Sequence, residues 1–397
     1  MEHEYDYLII GAGMTGDAAA KALRKADEGA SVAILGDEAD GPYERPPLSK
    51  ALWKDGADES SVDLATSAAG VDVHPGRRAV SLDPSDRAVE DDQGDVWHYR
   101  RLLLATGATP RLFSLPHHER VIAFRTLADY RKLRALAKPG ANAVVVGGGF
   151  IGSELAAALV GAGCKVTMVF PEDAIGSARF PESLADFLND YYREHGVTLR
   201  TGLTVTGGTA DDAGVDLTLS DGSTLHADVV VAGLGVTPNV ELAKAAGLEV
   251  DNGIVVDEHL RTAEPDIWAA GDVACFPNPA LDRQLRVEHE NAAIDMGVVA
   301  GKAMAGEDAS YTTLPFFYSD LFDLGYEAVG ILDSRLEVFE DWKTPYQEGV
   351  CYYLDAGRVV GVLLWNTWGQ VDVARALIAK PGPIDVESLR GRIPAMV

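Results

Sequence analysis

The chain has 397 residues, of which 47% are hydrophobic and 41 are glycine, so two or three compact domains are expected and extensive disorder is not. Lys and Arg number 34 against 61 Asp and Glu, and the net charge of −27 repels phosphodiester backbones and anionic membrane surfaces. Nucleic-acid binding is therefore not expected. Short apolar runs and a start without a cationic leader indicate a cytoplasmic protein that inserts in no membrane.

The first element is a βαβ unit in residues 7–37. An apolar strand leads into a G-x-G-x-x-G turn, an Ala-rich helix to about Ala26 and a second strand at residues 31–35. In such turns the first two glycines let the backbone approach a pyrophosphate, and the third lets the helix pack closely. Asp37, about twenty residues past the turn, is expected to accept hydrogen bonds from ribose hydroxyls. The turn residues expected at the dinucleotide are Gly11, Gly13, Thr15 and Gly16.

Two strand-then-turn runs mark domain boundaries. LLLATGATP at residues 102–110 ends a buried strand in a Gly/Pro turn, and VVVAGLGVTP at residues 229–238 repeats the pattern. We expect the chain to leave the first domain at one run and to re-enter it at the other. After about Ala309, short β-like runs and a helix-like segment at residues 371–379 indicate an α+β domain. The predicted domains are residues 1–112 with 237–309, residues 113–236, and residues 310–397.

A second βαβ unit lies in residues 143–172. Its acidic residue is Glu172, again about twenty residues past the glycine turn. A carboxylate there repels the 2′-phosphate of NADP, and no arginine follows before Arg179, so NADH is favoured over NADPH. The alternative is that Glu172 only caps a turn after Pro171. The expected turn residues are Gly147, Gly149, Phe150, Ile151 and Gly152.

The cysteines and a Gly-Asp turn indicate which cofactor chemistry is expected. The three cysteines, Cys164, Cys275 and Cys351, include no C-x-x-C, so neither a disulfide framework nor a metal site is expected. IWAAGDV at residues 267–273 ends a strand in Gly271 and Asp272. This is typical of the ribityl contact in flavoproteins with two nucleotide domains, although alone it is equally a turn with an N-capping Asp.

Five runs are distinctive in combination: PYERPPLSK (42–50), GGGFIGSE (147–154), VFPE (169–172), RVEH (286–289) and GVLLWN (361–366). Together they resemble the apoptosis-inducing-factor branch of the flavoprotein pyridine-nucleotide reductases. That superfamily also contains the ferredoxin, rubredoxin and putidaredoxin reductases and the plant monodehydroascorbate reductases. The resemblance covers essentially the whole chain. It implies an α/β fold with two Rossmann-like dinucleotide-binding domains in the glutathione-reductase-like FAD/NAD architecture, plus a small C-terminal α+β domain.

The resemblance implies a catalytic pair. Lys50 would lie near the reactive edge of the isoalloxazine ring, with Glu154 paired to it. A cation there stabilises the electron-rich reduced ring, and the carboxylate keeps the lysine charged. Without the resemblance the two residues are unrelated surface charges. The further cofactor residues that it implies are Arg45, Val80, Ala105, Thr106, Gly107, Arg125, Gly235, Gly271, Asp272, Glu288, His289 and Tyr318.

Some of these implied residues have plainer interpretations. Thr106 is also a common turn former. His289 beside acidic residues is also read as a solvated surface pair. Tyr318, within an aromatic run, is also read as a core residue.

The resemblance implies that hydride passes from NADH to FAD and that electrons go on to an external acceptor without a cysteine pair. The expected acceptor is an iron–sulfur or rubredoxin-type protein, although an acidic ferredoxin has no evident long-range charge match to this chain. The alternatives are a quinone, dioxygen or a small radical, and a redox sensor in which an NADH charge-transfer complex changes dimerisation. Ile294 stands where the monodehydroascorbate reductases carry an arginine, and Glu290 where many ferredoxin reductases carry a tryptophan over the nicotinamide. The isoleucine at position 294 counts against ascorbate-radical reduction. Whether the chain forms a homodimer stays open.

Overall fold

The computed structural model describes residues 1–111 and 117–393. Its chain divides into two compact units. Unit 1 consists of Met1–Arg45, Glu59–Thr109 and Thr237–Pro315, and unit 2 of Pro46–Asp58, Pro110–Val236 and Phe316–Val397. The predicted three-domain division stays a prediction, and its boundary at residues 112 and 113 lies outside the described residues.

The described residues form strands and helices throughout both units. In chain order the strands are β1 Glu2–Ile10, β2 Val32–Gly36, β3 Asp72–Pro75, β4 Ala79–Asp83, β5 Ala88–Asp91, β6 Val96–Leu104, β7 Ala108–Pro110, β8 Val121–Ala123, β9 Asn142–Val146, β10 Lys165–Phe170, β11 Thr198–Thr201, β12 Val205–Asp211, β13 Gly214–Leu219, β14 Thr224–Ala227, β15 Val229–Ala232, β16 Val236–Pro238, β17 Ile254–Val255, β18 Ile267–Ala269, β19 Ala274–Asn278, β20 Arg283–Leu285, β21 Phe316–Leu321, β22 Leu324–Gly330, β23 Glu337–Thr344, β24 Glu348–Asp355 and β25 Arg358–Trp365. The α-helices are α1 Met14–Ala26, α2 Leu127–Leu136, α3 Phe150–Gly161, α4 Glu182–Glu194, α5 Glu241–Ala245, α6 Glu290–Ala305 and α7 Val371–Ile378.

Unit 1 is built on a sheet with the order β3-β2-β1-β6-β5-β4, in which β18 also pairs with β6. Strands β3, β2, β1, β6 and β18 pair in parallel with one another, whereas β5 pairs antiparallel with both β6 and β4. The end of β1 and all of β2 are buried, as expected for parallel strands covered on both faces. Because Ile10 and Leu104 are in register, the turns that follow β1 and β6 lie side by side.

Unit 2 contains a parallel sheet with the order β11-β10-β9-β15-β8 and a separate antiparallel sheet of β12, β13 and β14. Helix α2 begins in a capping box, in which Thr126 and Asp129 exchange hydrogen bonds. Helix α3 follows β9 and begins directly at the second glycine turn. This order places the glycine turn at the carboxyl end of the sheet, where open α/β sheets bind ligands.

The end of the chain adds a third sheet to unit 2. It is antiparallel, with the order β21-β22-β25-β24-β23. Its core is aromatic, and Trp365 stacks on Tyr326 with ring centroids 5.6 Å apart. Among the described residues, no helix is long and apolar enough to cross a bilayer.

Candidate dinucleotide sites and the Lys50–Glu154 pair

The first glycine turn is shaped for close backbone approach. Gly11 has φ +120°, and a Cβ there would lie 2.0 Å from the carbonyl oxygen of Ala105. A Cβ at Gly16 would lie 2.1 Å from the oxygen of Gly11, so the helix can start here only with glycine. At Gly13, by contrast, a Cβ would meet no atom within 4 Å. The open side and the uncapped N–H groups of α1 fit a pyrophosphate.

Three more predicted residues of unit 1, Gly271, Asp272 and Glu288, are connected to this turn by the contacts of Thr15 and Arg286. A Cβ on Gly271 would lie 2.3 Å from Oγ1 of Thr15, so the Gly-Asp turn packs directly on the first turn of α1. Arg286 donates to the carbonyl oxygen of Asp272 at 3.1 Å and pairs with Glu288 at 2.8 Å. This arginine therefore connects the Gly-Asp turn to the Glu288–His289 run. Arg286 belongs to the RVEH run that carries part of the resemblance, but its contact with Asp272 was not predicted from the sequence.

The Ala105-Thr106-Gly107 turn is held by a residue that sequence reasoning missed. Asn239 donates from Nδ2 to the backbone carbonyl oxygen of Thr106 at 2.7 Å. The backbone carbonyl oxygen of Asn239 in turn accepts from Oγ1 of Thr106 at 2.8 Å. Gly107 takes φ +65° and accepts a bond from the backbone of Asn239. Thr106 is thus at least a turn former. The Thr-Pro-Asn run after β15 was the available signal.

The acidic residue predicted at the ribose lies just beyond β2. Asp37 is exposed and lies 3.5 Å from Arg78. Its neighbour Glu38 instead accepts from Arg45 at 2.5 Å. The backbones of Gly36 and Glu38 accept bonds from residues 76 and 77, which lead into β4 and Val80. Asp37, Arg45 and the strand of Val80 therefore belong to one part of unit 1.

The second glycine turn repeats the geometry of the first. Gly147 has φ +119°, and a Cβ there would lie 2.4 Å from the oxygen of Gly233. A Cβ at Gly152 would lie 2.1 Å from the oxygen of Gly147, whereas Gly149 again faces open space. The second turn therefore also fits a pyrophosphate. Gly235, two residues past Gly233, has φ +78°.

The loop after Glu172 returns to this second turn. Glu172 is exposed just past β10, and Gly176 donates to the carbonyl oxygen of Gly148 at 3.0 Å. The guanidinium of Arg179 then lies 4.2 Å from the ring centroid of Phe150, the first residue of α3. In the sequence, Arg179 was considered only as an arginine too far from Glu172 to bind the 2′-phosphate of NADP. The loop contact could not be predicted from sequence spacing. Ile151, the next residue of α3, is 40% exposed.

Lys50 and Glu154 are brought together in unit 2. Their Nζ and Oε1 atoms are 2.7 Å apart, and the side chains are 15% and 4% exposed. Ser49 donates to Oε2 of Glu154 at 2.6 Å, and Nζ of Lys50 lies 5.4 Å from the ring centroid of Tyr318. Burial, together with the charge of Glu154, raises the pKa of the nearby Tyr326 phenol. A buried, solvent-poor ion pair of this kind can act on a bound ligand far more strongly than a surface pair.

Arg125 directly precedes the capping box of α2 and is half-buried, with its backbone N–H bonded to Asp129. The three cysteines are free and buried, and burial raises the pKa of each thiol. Buried thiols with a raised pKa carry little thiolate and are poor nucleophiles. Among the residues that the structure describes, no cluster could hold a metal ion.

Comparison with known proteins gives consistent results. The family model described as "Pyridine nucleotide-disulphide oxidoreductase" matches residues 5–297, and "Apoptosis-inducing factor, mitochondrion-associated, C-term" matches residues 339–380. The chain is 33% identical to apoptosis-inducing factor 1, mitochondrial, of Dictyostelium discoideum, over 97% of this chain and 81% of that protein. It is 35% identical to the ferredoxin–NAD(+) reductase component of the anthranilate 1,2-dioxygenase system of Burkholderia cepacia, over 96% of each.

A solved structure is also similar. The covalent putidaredoxin reductase–putidaredoxin complex matches with a TM-score of 0.90 and 30% identity, over 97% of this chain and 95% of that chain. The resemblance inferred from the five sequence runs is confirmed, and so is the predicted α/β architecture.

Proposed function

Since the chain belongs to the pyridine nucleotide-disulphide oxidoreductase family and is an FAD-dependent NADH oxidoreductase, we propose that its electron acceptor is a ferredoxin- or rubredoxin-type protein. The observation that carries the proposal is the buried Lys50–Glu154 pair in a chain whose cysteines are all free. With no dithiol to receive them, electrons leave for an external acceptor. The relative from Burkholderia cepacia is a ferredoxin reductase component, and the putidaredoxin reductase structure contains putidaredoxin.

FAD would be bound by unit 1. Its pyrophosphate would be held at the open side of Gly13 by the N-terminus of α1, and its ribose by Asp37. Asp272, fixed by Arg286, would reach the ribityl chain. When bound, FAD supplies a hydride acceptor and an electron donor.

NADH would be bound at the second glycine turn, with Glu172 accepting from the adenosine ribose. The Lys50 ammonium would stabilise negative charge on the reduced ring, and Glu154 would hold that ammonium in place. The preference for NADH over NADPH is part of the proposal. A cytoplasmic location and a homodimer stay predictions.

The acceptor is tested by steady-state NADH oxidation with a purified [2Fe–2S] ferredoxin, a rubredoxin, a soluble quinone and ferricyanide. We expect the iron–sulfur or rubredoxin protein to be reduced at micromolar concentration. Ferricyanide serves as the control, because it takes electrons from reduced flavin without a docking surface. Activity with ferricyanide and quinone but with neither protein would contradict the proposed acceptor.

A second candidate function has two findings in its favour. The match to the apoptosis-inducing-factor C-terminal model and the 33% identity to the Dictyostelium discoideum protein favour a redox sensor, in which NADH forms a lasting charge-transfer complex and changes dimerisation. The lifetime of the reduced protein in air separates the two functions. Reoxidation within seconds supports turnover, whereas a lifetime of many minutes with an NADH-dependent dimer in sedimentation supports the sensor.

A further inference from the structure

The carboxylate of Glu154 accepts hydrogen bonds from two serines as well as from Lys50. Ser49 donates to Oε2 at 2.6 Å, and Ser319 donates to Oε1, the oxygen that also faces Lys50, at 2.5 Å. Both serines are buried. The sequence singled out neither of them as a site residue.

The burial of Glu154 explains why several donors are needed. A carboxylate in a water-poor site loses solvation that one ammonium does not replace, and its remaining lone pairs must be satisfied by fixed donors. The two tyrosines beside it add no negative charge. Burial, with the charge of Glu154, raises the pKa of Tyr192 and Tyr326, so both phenols stay neutral.

The two serines come from distant parts of the chain. Ser49 ends the 3₁₀ segment Pro46–Ser49 and directly precedes Lys50. Ser319 lies on β21, in the sheet formed by the last part of the chain, and is 165 positions from Glu154. The C-terminal sheet therefore fixes one oxygen of the carboxylate, and the segment that carries the lysine fixes the other.

We propose that Ser49 and Ser319 are positioning residues for hydride transfer, because their hydroxyls hold the Glu154 carboxylate in the orientation that presents Lys50 as a fixed ammonium. The inference rests on the proposed function, in which Lys50 acts on the flavin. It gives the C-terminal sheet a part in the chemistry.

The first test is a double-mutant cycle. Ser49→Ala and Ser319→Ala are made in the wild-type and Glu154→Gln backgrounds, and flavin reduction is followed by stopped flow over a range of NADH concentrations. We expect each serine variant to lower the limiting rate about tenfold in the wild-type background, the worth of one hydrogen bond to a charged group. The half-saturating NADH concentration should not change. In the Glu154→Gln background we expect an effect within about twofold, because residues that act through one group are not additive.

Ser183→Ala is the matched control. Ser183 is also in unit 2 and donates to both oxygens of a different carboxylate, Glu340, at 3.0 and 2.9 Å. Its loss removes a comparable Ser–Glu contact, so we expect a wild-type reduction rate. Equal slowing in Ser183→Ala, or full slowing by the serine variants in the Glu154→Gln background, would overturn the proposal. Having two variants on different elements keeps the test usable if one of them fails to fold.

A second measurement needs no NADH. Lys50 and the exposed Lys54 of the same protein are labelled with a limiting amine-acetylating reagent, and their modification is read by mass spectrometry. We expect Lys50 to react faster in both serine variants than in the wild type, with Lys54 unchanged as the internal reference. Unchanged labelling of Lys50 overturns the inference. Faster labelling in a protein that NADH does not reduce instead supports the positioning and contradicts the proposed function.

Discussion

The two glycine turns have nearly the same backbone but different surroundings. Gly11 and Gly147 have φ +120° and +119°, and at both a Cβ would collide with a backbone carbonyl. At the first turn the helix begins with the buried residues Met14, Thr15 and Gly16, and the Gly-Asp turn packs on Thr15. The second turn is bordered by the exposed side chains of Glu172 and Ile151. The two helices therefore begin differently, with buried residues at α1 and with the partly exposed Phe150 and the exposed Ile151 at α3. This difference suits one dinucleotide that stays bound and one that exchanges.

The largest effect is expected from Gly11→Ala. The new Cβ would be 2.0 Å from the carbonyl oxygen of Ala105, and an alanine at φ +120° would be strained. We therefore expect the free energy of unfolding to fall by about 3 kcal/mol or more, and the purified protein to lack flavin. Flavin absorbance per purified chain measures this. Gly29→Ala, in the loop between α1 and β2 where a Cβ meets no atom within 4 Å, is the control and should keep both the fold and the flavin. Normal flavin content in Gly11→Ala would show that the turn is not the FAD cradle.

Lys50→Gln should have the next largest effect. It leaves the buried carboxylate of Glu154 without its cation, which costs about 3 kcal/mol in free energy of unfolding. Chemical denaturation measures this cost, and the double change Lys50→Gln with Glu154→Gln should recover much of it. Lys343→Gln breaks the exposed pair with Glu348 and should cost less than about 1 kcal/mol. Equal costs for the two single variants would mean that burial does not distinguish the pairs.

Arg179→Ala tests the exchanging turn. Its guanidinium lies over Phe150 at the start of α3, where a pyrophosphate is expected, so we predict that KM for NADH rises about tenfold at nearly constant kcat. Arg335→Ala is the control, since Arg335 is 88% exposed and pairs only locally with Asp333. A fall in kcat without a change in KM would place Arg179 at the chemistry instead of at NADH binding.

The smallest effect is expected at the ribose. Glu172→Ser removes a carboxylate that repels the 2′-phosphate, so the ratio of kcat/KM for NADPH to that for NADH should rise about fivefold, the equivalent of about 1 kcal/mol of Coulomb repulsion. Glu182→Ser, at the start of α4, is the acidic control. An unchanged ratio would favour the alternative in which Glu172 only caps a turn.

The parts of the site that the sequence revealed are those with a local signal. Both glycine turns, α1 and α3 follow from strand-turn-helix patterns, because each pattern lies within a few neighbouring residues. The contact of Lys50 with Glu154, 104 positions away, was implied only by the resemblance. Ser319 and Arg179 had no signal, because their contacts depend on how β21 and the loop after β10 return to α3. Tertiary contacts of this kind leave no periodic trace in a single sequence.

Hydride transfer from NADH to flavin held by this chain can be tested directly. Purified protein with bound FAD is mixed anaerobically with NADH, and the visible absorbance of the flavin is followed. We predict bleaching within seconds, and slower bleaching with NADPH. Flavin that stays bound and keeps its absorbance for many minutes with NADH would contradict the account.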